Sequence, residues 1–290
     1  MGVLVPAYII SAIIYANLLM ILSMGFTFTY LTAKVPNFAY GSTSAIGIYI
    51  AFTMVRLFNL NPYYAMPIAF IVCSLTSASV YWFVIQTLKK YGATVISLSI
   101  ATIAIEVLIL AFINIYADYL RGITGAYARF FLLRRYDFII YGVPGVLIVS
   151  LLFAGSTIIL LYYLLTRTKF GIAMRATVEN ADLASIMGVN TEFVSLVSWT
   201  LTGGLAGISG SLLPLWFQCI PETGSRLMTS VFASSVLGGM SSIYGSMVGG
   251  YIIGLTEILG TIVLMDWFGS WVSSYRPCLL YTSPSPRDRG

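Results

Sequence analysis

The sequence has no histidine, and only 9% of its 290 residues are charged. A soluble domain carries about 25% charged residues, so this chain cannot cover a water-facing surface. The absence of histidine removes the commonest general base and metal ligand. Cys73 lies in an apolar run, Cys219 in a connection and Cys278 in the tail. This scatter predicts neither a disulfide framework nor a metal site, and we expect no cofactor.

Lysine and arginine are absent before Lys34. The N-terminus therefore lacks the basic region of a cleavable signal peptide, and we interpret the first apolar run as a retained helix. The tail 278–290 turns abruptly polar and rich in proline and serine. It resembles translated adapter or vector sequence, so we expect it to be non-native. We assign 1–277 to the membrane domain and expect the natural protein to continue with a final helix.

Hydrophobic residues make up 59% of the chain, in continuous runs that reach the roughly 18 apolar residues of a spanning helix. This pattern predicts an all-α, polytopic helical bundle integral to a membrane, with about eight hydrophobic segments, some of them broken. The seventh is too short to cross a core of ~30 Å, so we expect it to be a half-helix. The candidate segments are Ile10–Thr32, Ala39–Leu57, Tyr63–Leu88, Thr94–Tyr116, Val143–Leu165, Phe193–Phe217, Met228–Leu237 and Ser246–Met265.

Two polar interruptions divide these segments, at Lys34–Asn37 and at Gly238–Ser242. Broken hydrophobic segments in corresponding halves of a membrane protein are typical of a transport path. Tyr40-Gly41-Ser42 after the first break has a weak echo in Tyr244-Gly245-Ser246 after the second, a hint of an internal repeat. We therefore predict that the pathway is lined by Asn37, Gly41, Ser42, Gly238 and Gly239.

If consecutive spans cross the membrane in alternating directions, the basic residues of their connections divide equally between the two sides, and all four lysines fall on one of them. Positive residues collect on the cytoplasmic side of most membrane proteins, so we place the lysine side in the cytoplasm. The connection 117–142 then lies outside, with Asp118 and Asp137 as candidate partners of its arginines. Arg121, Arg129, Arg134 and Arg135 contact either these acids and lipid headgroups, which we favour, or an acidic patch on another protein.

The polar segment 167–192 is a charged stretch between two strongly apolar spans. If it forms one helix, Arg175, Glu179 and Asp182 share a face. Gly188 suits the C-terminal end of that helix, and Asn190 or Thr191 the N-cap of the next. From the residues alone the segment is either an ordinary surface loop, a helix in the lipid headgroups, or a docking element.

The order Gly171, Arg175-Ala176, Glu179-Asn180, Ala184 and Gly188-Val189-Asn190 closely resembles the cytoplasmic coupling loop of branched-chain amino acid ABC transporter permeases. Asn37-Phe38-Ala39-Tyr40-Gly41, Leu237–Gly245 and Gly249–Glu257 resemble the same family, so the likeness covers nearly all of Ile10 to Pro277. The chain departs from the pattern at Tyr40, where the family commonly has histidine, and at Tyr244, where it often has proline.

This resemblance implies a permease subunit in the cell membrane of a prokaryote, not an enzyme, that moves branched-chain or related hydrophobic amino acids. The partners it implies are cytoplasmic ABC ATPase subunits, a second identical or homologous permease, an extracellular or periplasmic solute-binding protein and the lipid bilayer, but no nucleic acid. No G-x-x-x-x-G-K-[ST] phosphate loop occurs in the chain, in agreement with ATP hydrolysis on a partner. The resemblance assigns ATPase coupling to Arg175, Ala176, Glu179, Asn180, Ala184 and Gly188.

Two glutamates, Glu106 and Glu257, lie in otherwise apolar segments. A carboxylate at membrane depth costs a few kcal/mol and usually faces the bundle interior or a wet cavity. Each either meets the ammonium group of a substrate or is satisfied by a hydroxyl between helices. We favour the second interpretation for Glu106, whereas for Glu257, a candidate pathway residue, both stay open.

Other function classes remain as alternatives. A permease for sugars or nucleosides would share the architecture. A transporter driven by an ion gradient would need an acidic or histidine relay through the spans, and two isolated glutamates make a poor relay. An intramembrane enzyme would need a nucleophile with a base, or metal ligands, and the sequence offers neither. Glycines at small-xxx-small spacing, such as Gly203 and Gly207, predict close helix packing.

Overall fold

The computed structural model describes residues 6–140 and 142–268 and confirms an all-α membrane bundle. Six helical stretches are long and apolar enough to cross a membrane. The predicted non-native tail and the expected final helix lie outside the described residues. The six stretches are Ala7–Ala33, Pro62–Lys90, Val95–Thr124, Gly145–Arg167, Thr191–Leu215 and Ile243–Val263.

Most of these stretches are single α-helices: α1 (Ala7–Ala33), α5 (Val95–Thr124), α6 (Gly145–Arg167) and α11 (Ile243–Phe268). The second stretch instead joins a 3₁₀ turn (Pro62–Tyr64), α3 (Ala65–Val80), a π-helix (Tyr81–Gln86) and α4 (Thr87–Lys90). The fifth joins α9 (Thr191–Leu212) to a 3₁₀ turn (Leu213–Leu215).

Two shorter helices, α2 (Tyr40–Arg56) and α10 (Thr223–Leu237), have 17 and 15 residues. At a rise of about 1.5 Å per residue, both fall short of a membrane core. Both predicted breaks are confirmed, since α2 begins after an interruption at the end of α1, and α10 ends before one that precedes α11. Lys34 and Gly239 mark these breaks with φ angles of 56° and 83°.

The polar segment 167–192 forms two helices, α7 (Lys169–Glu179) and α8 (Ala181–Ile186). Our expectation of a single helix with Arg175, Glu179 and Asp182 on one face is therefore wrong. Asn180 has extended backbone, and its side-chain oxygen accepts a hydrogen bond from the Leu183 amide at 3.0 Å. It thus ends α7 and caps α8, which turns Asp182 onto a different helix from Arg175.

The connection at the other end of the bundle is shorter than predicted, because α5 continues to Thr124 and ends at Gly125 with φ 65°. A 3₁₀ turn (Arg134–Tyr136) and the antiparallel strands β1 (Ile139–Ile140) and β2 (Val143–Pro144) follow. Hydrogen bonds between residues far apart in the sequence attach this connection to the bundle. The Leu133 amide donates to the Pro214 carbonyl at 2.6 Å, and the Tyr49 hydroxyl to the Ala128 carbonyl at 2.8 Å.

Close approach of backbones at glycine holds the bundle together. In the main contacts α1 packs along α11, and α9 packs against both α3 and α2. A Cβ atom at Gly207 would lie 2.4 Å from the Ala69 carbonyl oxygen, and one at Gly254 would lie 2.5 Å from the Cα of Ala16. The predicted role of the small-residue spacings in helix packing is confirmed at these positions.

Replacement of Gly210 by alanine tests this packing. The added Cβ would lie 2.0 Å from the carbonyl oxygen of Ser44 in α2, so α2 and α9 would have to separate. Overpacking of this kind costs about 1–3 kcal/mol, and we expect a lower apparent melting temperature in detergent. Gly155→Ala in α6 is the matched control, because no atom lies within 4 Å of its Cβ position. Equal melting temperatures for the two variants would contradict the packing analysis.

Replacement of Asn180 by alanine tests the cap of α8. Loss of an N-cap side chain costs about 1 kcal/mol, so the amides of residues 183–187 should exchange with deuterium about fivefold faster than in the unmodified protein. Asn180→Asp keeps an oxygen acceptor and should exchange at the original rate. If alanine and aspartate gave the same protection, the helix break would not depend on this side chain.

Candidate functional site

The polar segment 167–192 lies at one end of the bundle, where α7 folds back from α6. The Thr168 hydroxyl accepts from the Gly171 amide at 3.1 Å, and a Cβ at Gly171 would lie 2.3 Å from the Leu165 carbonyl oxygen. The first turn of α7 therefore packs tightly on the end of α6. Asn190 accepts from the Phe193 amide at 2.9 Å, which confirms it as the N-cap of α9.

The six predicted coupling residues differ in exposure. Arg175, Glu179, Asn180 and Gly188 are exposed, and Ala176 is half-buried. Ala184 is buried, and its carbonyl accepts from the Val189 amide at 3.0 Å. It therefore faces the protein. Gly188 has φ 87° and follows the end of α8, as its predicted role at a helix C-terminus requires.

Three large apolar side chains in and directly after α8 are exposed: Leu183, Ile186 and Met187, at 57%, 80% and 78% of their full surface. We call these three residues the α8 face. Exposed apolar patches rimmed by polar residues mark sites of interaction with proteins or membranes. The charged side chains of Arg175, Glu179 and Asp182 are exposed in the same segment.

The structure places all four lysines at the end that carries the polar segment. Lys34 follows the last residue of α1, Lys89 and Lys90 end α4, and Lys169 begins α7. The Lys89 ammonium donates to the Ala33 carbonyl at 3.2 Å, which joins the ends of α1 and α4. The positive-inside rule therefore still predicts that this lysine end is cytoplasmic.

Three of the four predicted arginines at the opposite end, Arg121, Arg129 and Arg134, have local partners. Arg129 forms a two-pronged salt bridge with Asp118 at 2.7 and 2.8 Å, and Arg134 stacks 3.9 Å above the ring of Trp216. The Asp118 carboxylate raises the pKa of Arg129, whereas burial lowers the pKa of Arg134. Arg121 lies over Tyr127 at 5.0 Å. The favoured prediction, that these arginines pair with nearby acids, is confirmed for Arg129. Asp137 was also predicted to pair with an arginine, but it accepts a hydrogen bond from the Tyr63 hydroxyl at 2.5 Å.

The first break is buried against α5. The Phe38 amide donates to the Thr102 hydroxyl at 3.3 Å, and this hydroxyl also lies 3.2 Å from the Pro36 carbonyl oxygen. Asn37 is 2% exposed, and its side-chain oxygen has no hydrogen-bond partner among the described residues. The Ser42 hydroxyl donates to the backbone carbonyl of Glu106 at 3.4 Å. The backbone of the break is therefore held by α5, while Asn37 keeps an unused acceptor.

Glu257 of α11 faces the bundle interior, toward α1 and α10. Its carboxylate accepts from the Tyr15 hydroxyl at 2.9 Å, and the Ser230 side chain is within hydrogen-bond reach. This arrangement fits hydroxyl satisfaction between helices, one of the two interpretations left open for Glu257. Since the side chain is only half-buried, the carboxylate retains some access to its surroundings. Glu106, also half-buried, engages Ser42 through its backbone carbonyl.

The short helix α10 connects three of the predicted pathway features. Near its start, a Cβ at Gly41 would lie 2.4 Å from the Gly224 carbonyl oxygen. In its middle, Ser230 approaches Glu257. At its end, a Cβ at Gly238 would lie 2.1 Å from the Gly245 carbonyl oxygen.

The other predicted pathway residues take no part in these α10 contacts. Gly239 has no atom within 4 Å of its Cβ position. Asn37 and Ser42 belong to the side that faces α5.

Sequence reasoning missed three polar residues of this region, Tyr15, Thr102 and Ser230. Each is a hydroxyl side chain in an apolar helix, which is a common pattern in membrane proteins. Their long-range partners, such as Glu257 for Tyr15 at a separation of 242 positions, leave no local signal. A weak sequence signal was the presence of isolated hydroxyl residues in apolar helices of a chain that also carries a lone glutamate in such a helix.

Comparison with known proteins gives a single family. The profile of the permease component of the branched-chain amino acid transport system matches residues 8–274. A protein described as the probable branched-chain amino acid transport permease protein LivH of Methanocaldococcus jannaschii is 43% identical over 259 residues, 89% of this chain and 82% of its own. No solved structure matches.

Two more distant relatives are similar over comparable lengths. The high-affinity branched-chain amino acid transport system permease protein BraD of Pseudomonas aeruginosa is 25% identical, over 86% of this chain and 83% of its own. The autoinducer 2 import system permease protein LsrC of Salmonella paratyphi B is 28% identical, over 89% of this chain and 72% of its own. With six helices in the described residues that are long and apolar enough to cross a membrane, the chain is a multi-pass cell-membrane protein. It belongs to the family of permease components of branched-chain amino acid transport systems.

Proposed function

We propose that this chain is the membrane-spanning subunit of an ABC importer for branched-chain or related hydrophobic amino acids. ATP is hydrolysed on cytoplasmic ATPase subunits that dock on the polar segment 167–192. A second permease completes the pore, and a solute-binding protein delivers substrate from outside. The substrate class is that of the relative with 43% identity over 89% of the chain.

The observation that supports ATPase docking most directly is the α8 face. It presents exposed apolar side chains at the lysine end of the bundle, where a cytoplasmic partner can reach them. Arg175 and Glu179 add charged groups to the same exposed segment. Methionine and arginine, both present in this segment, are enriched at the buried centres of protein interfaces. Ala184, which is buried, holds α8 on the bundle.

The proposed pathway runs beside α10, between the two breaks. Gly41 and Gly238 bring the backbones of α2 and α11 against this helix, and Glu257 supplies a carboxylate that suits a substrate ammonium group. Asn37 supplies an unused amide oxygen, and Ser42 and Gly239 border the breaks. Half-helix ends and unwound backbone groups of this type bind the charged ends of amino acids in transporters.

Replacement of Ile186 by glutamate tests docking. A charge placed in an apolar groove is desolvated without a partner, so co-purification with the ATPase subunits encoded nearby should fall at least about tenfold. In proteoliposomes with the solute-binding protein, the unmodified complex should hydrolyse ATP faster when a branched-chain amino acid is added. The Ile186→Glu complex should not.

Tyr91→Glu is the matched control for this experiment. Tyr91 is 85% exposed and follows α4 at the same end of the bundle, but it lies outside the polar segment. It should bind the ATPase as the unmodified chain does. Uphill uptake by the permease alone in vesicles would contradict the proposed function.

Replacement of Glu257 by glutamine tests the pathway. The amide keeps an acceptor for the Tyr15 hydroxyl but loses the charge that would meet an ammonium group. A hydrogen bond to a charged group is worth about 1.5–3 kcal/mol, so uptake at low substrate concentration should fall about tenfold or more. Glu106→Gln is the matched control and should transport normally. Normal uptake with Glu257→Gln would show that this carboxylate only joins helices.

A further inference from the structure

The cytoplasmic end of α1 is held by two neighbouring helices through its last carbonyl groups. The final carbonyls of a helix have no partner within it. Here the Lys89 ammonium of α4 donates to the Ala33 carbonyl at 3.2 Å, and the buried Ser195 hydroxyl of α9 donates to the Thr32 carbonyl at 3.3 Å. A cation at this position also favours the negative end of the helix dipole. The end of α1 is thus attached to both α4 and α9.

The helical stretch that ends in α4 is also joined directly to α9 near the end of α1. The Gln86 amide donates to the Glu192 carboxylate at 2.6 Å, and this carboxylate also attracts the Lys89 ammonium. Further along both helices from these ends, the rings of Tyr81 and Trp199 pack with centroids 5.6 Å apart. Tyr81 and Gln86 bound the π-helix, a local widening that shifts the register of the residues that follow.

These contacts lie between the two regions that a transport cycle has to connect. Glu192 is in the first turn of α9, directly after the polar segment and its cap Asn190. Ala33 is the last residue of α1, directly before the first break and its left-handed residue Lys34. A displacement of α8 reaches the first turn of α9 through the short connection 187–190. From there it reaches the end of α1 through the hydrogen bonds of Ser195 and Lys89.

We propose that Gln86, Lys89, Glu192 and Ser195 are positioning residues that transmit movement of the polar segment to the first break. This inference rests on the proposed function. Glu192 and Gln86 keep α4 and α9 in register, so that Lys89 and Ser195 move the end of α1 together. The break that begins at Lys34 then changes its geometry when the ATPase moves α8.

The test uses the complete importer in proteoliposomes, with uptake and ATP hydrolysis measured together. Lys89→Met keeps the aliphatic stem but removes the donor to the Ala33 carbonyl. We expect the ATPase to remain bound and active, while the amount of substrate moved per ATP falls at least about fivefold, as expected for loss of coupling between two sites. Lys89→Arg restores a donor and should recover most of the ratio.

Lys90→Met is the matched control, since it removes the adjacent lysine from the same helix end. It should keep the original ratio. A ratio in Lys89→Met equal to that of Lys90→Met would overturn the proposal. Ser195→Ala provides a second variant, with the same loss of coupling expected; if neither Lys89→Met nor Ser195→Ala assembled, the contacts would serve folding and the proposal would be wrong.

Failure of the proposed function gives a different result from failure of this inference. If the unmodified complex showed neither ATPase binding nor substrate-dependent hydrolysis, the importer assignment would fall whatever the variants did. If the unmodified complex transported and all variants kept its ratio of substrate to ATP, only the relay through Lys89 and Ser195 would be excluded.

Discussion

Within a bilayer every backbone polar group needs a hydrogen-bond partner inside the protein, and the ends of broken helices are where this requirement is hardest to meet. At the first break, Thr102 serves the backbone of residues 36 and 38, while Lys89 and Ser195 serve the last carbonyls of α1. These partners come from three other helices. The break can therefore exist only in the assembled bundle, and its geometry depends on where α4, α5 and α9 are placed.

Glycine allows those helices to come close enough for this to happen. Gly207 and Gly210 of α9 both contact the backbone of α2. A Cβ at Gly47 would lie 2.2 Å from the Gly207 carbonyl oxygen, and a Cβ at Gly210 would lie 2.0 Å from the Ser44 carbonyl oxygen. Between helices in lipid there is no hydrophobic driving force, so contact energy comes from dispersion and from close packing. The glycine surface of α9 thus supplies packing that larger side chains could not, and it fixes how α2 and α3 cross it.

The sequence was sufficient to predict the spans, the two breaks and the half-helix α10, because continuous apolar length and its interruption are local properties of the chain. It also narrowed the N-cap of α9 to Asn190 or Thr191. It was not sufficient for the polar segment, since Asn180 is compatible with both a helix surface and a cap, and the choice depends on packing against α6 and α9. The partners of Glu257 and of Ala33 join residues far apart in sequence, so no local pattern reveals them.

The position of α10 has a mechanical consequence for the proposed transport cycle. Its start meets α2 at Gly41 and its end meets α11 at Gly245, in both cases backbone against backbone. No flexible side chain separates these surfaces, and packed interfaces shift between discrete arrangements more readily than they deform. A movement of α2 that starts at the first break must therefore carry α10 with it. Because Ser230 of α10 also approaches Glu257, the proposed relay from the polar segment to the first break would extend through α2 and α10 to the Glu257 carboxylate.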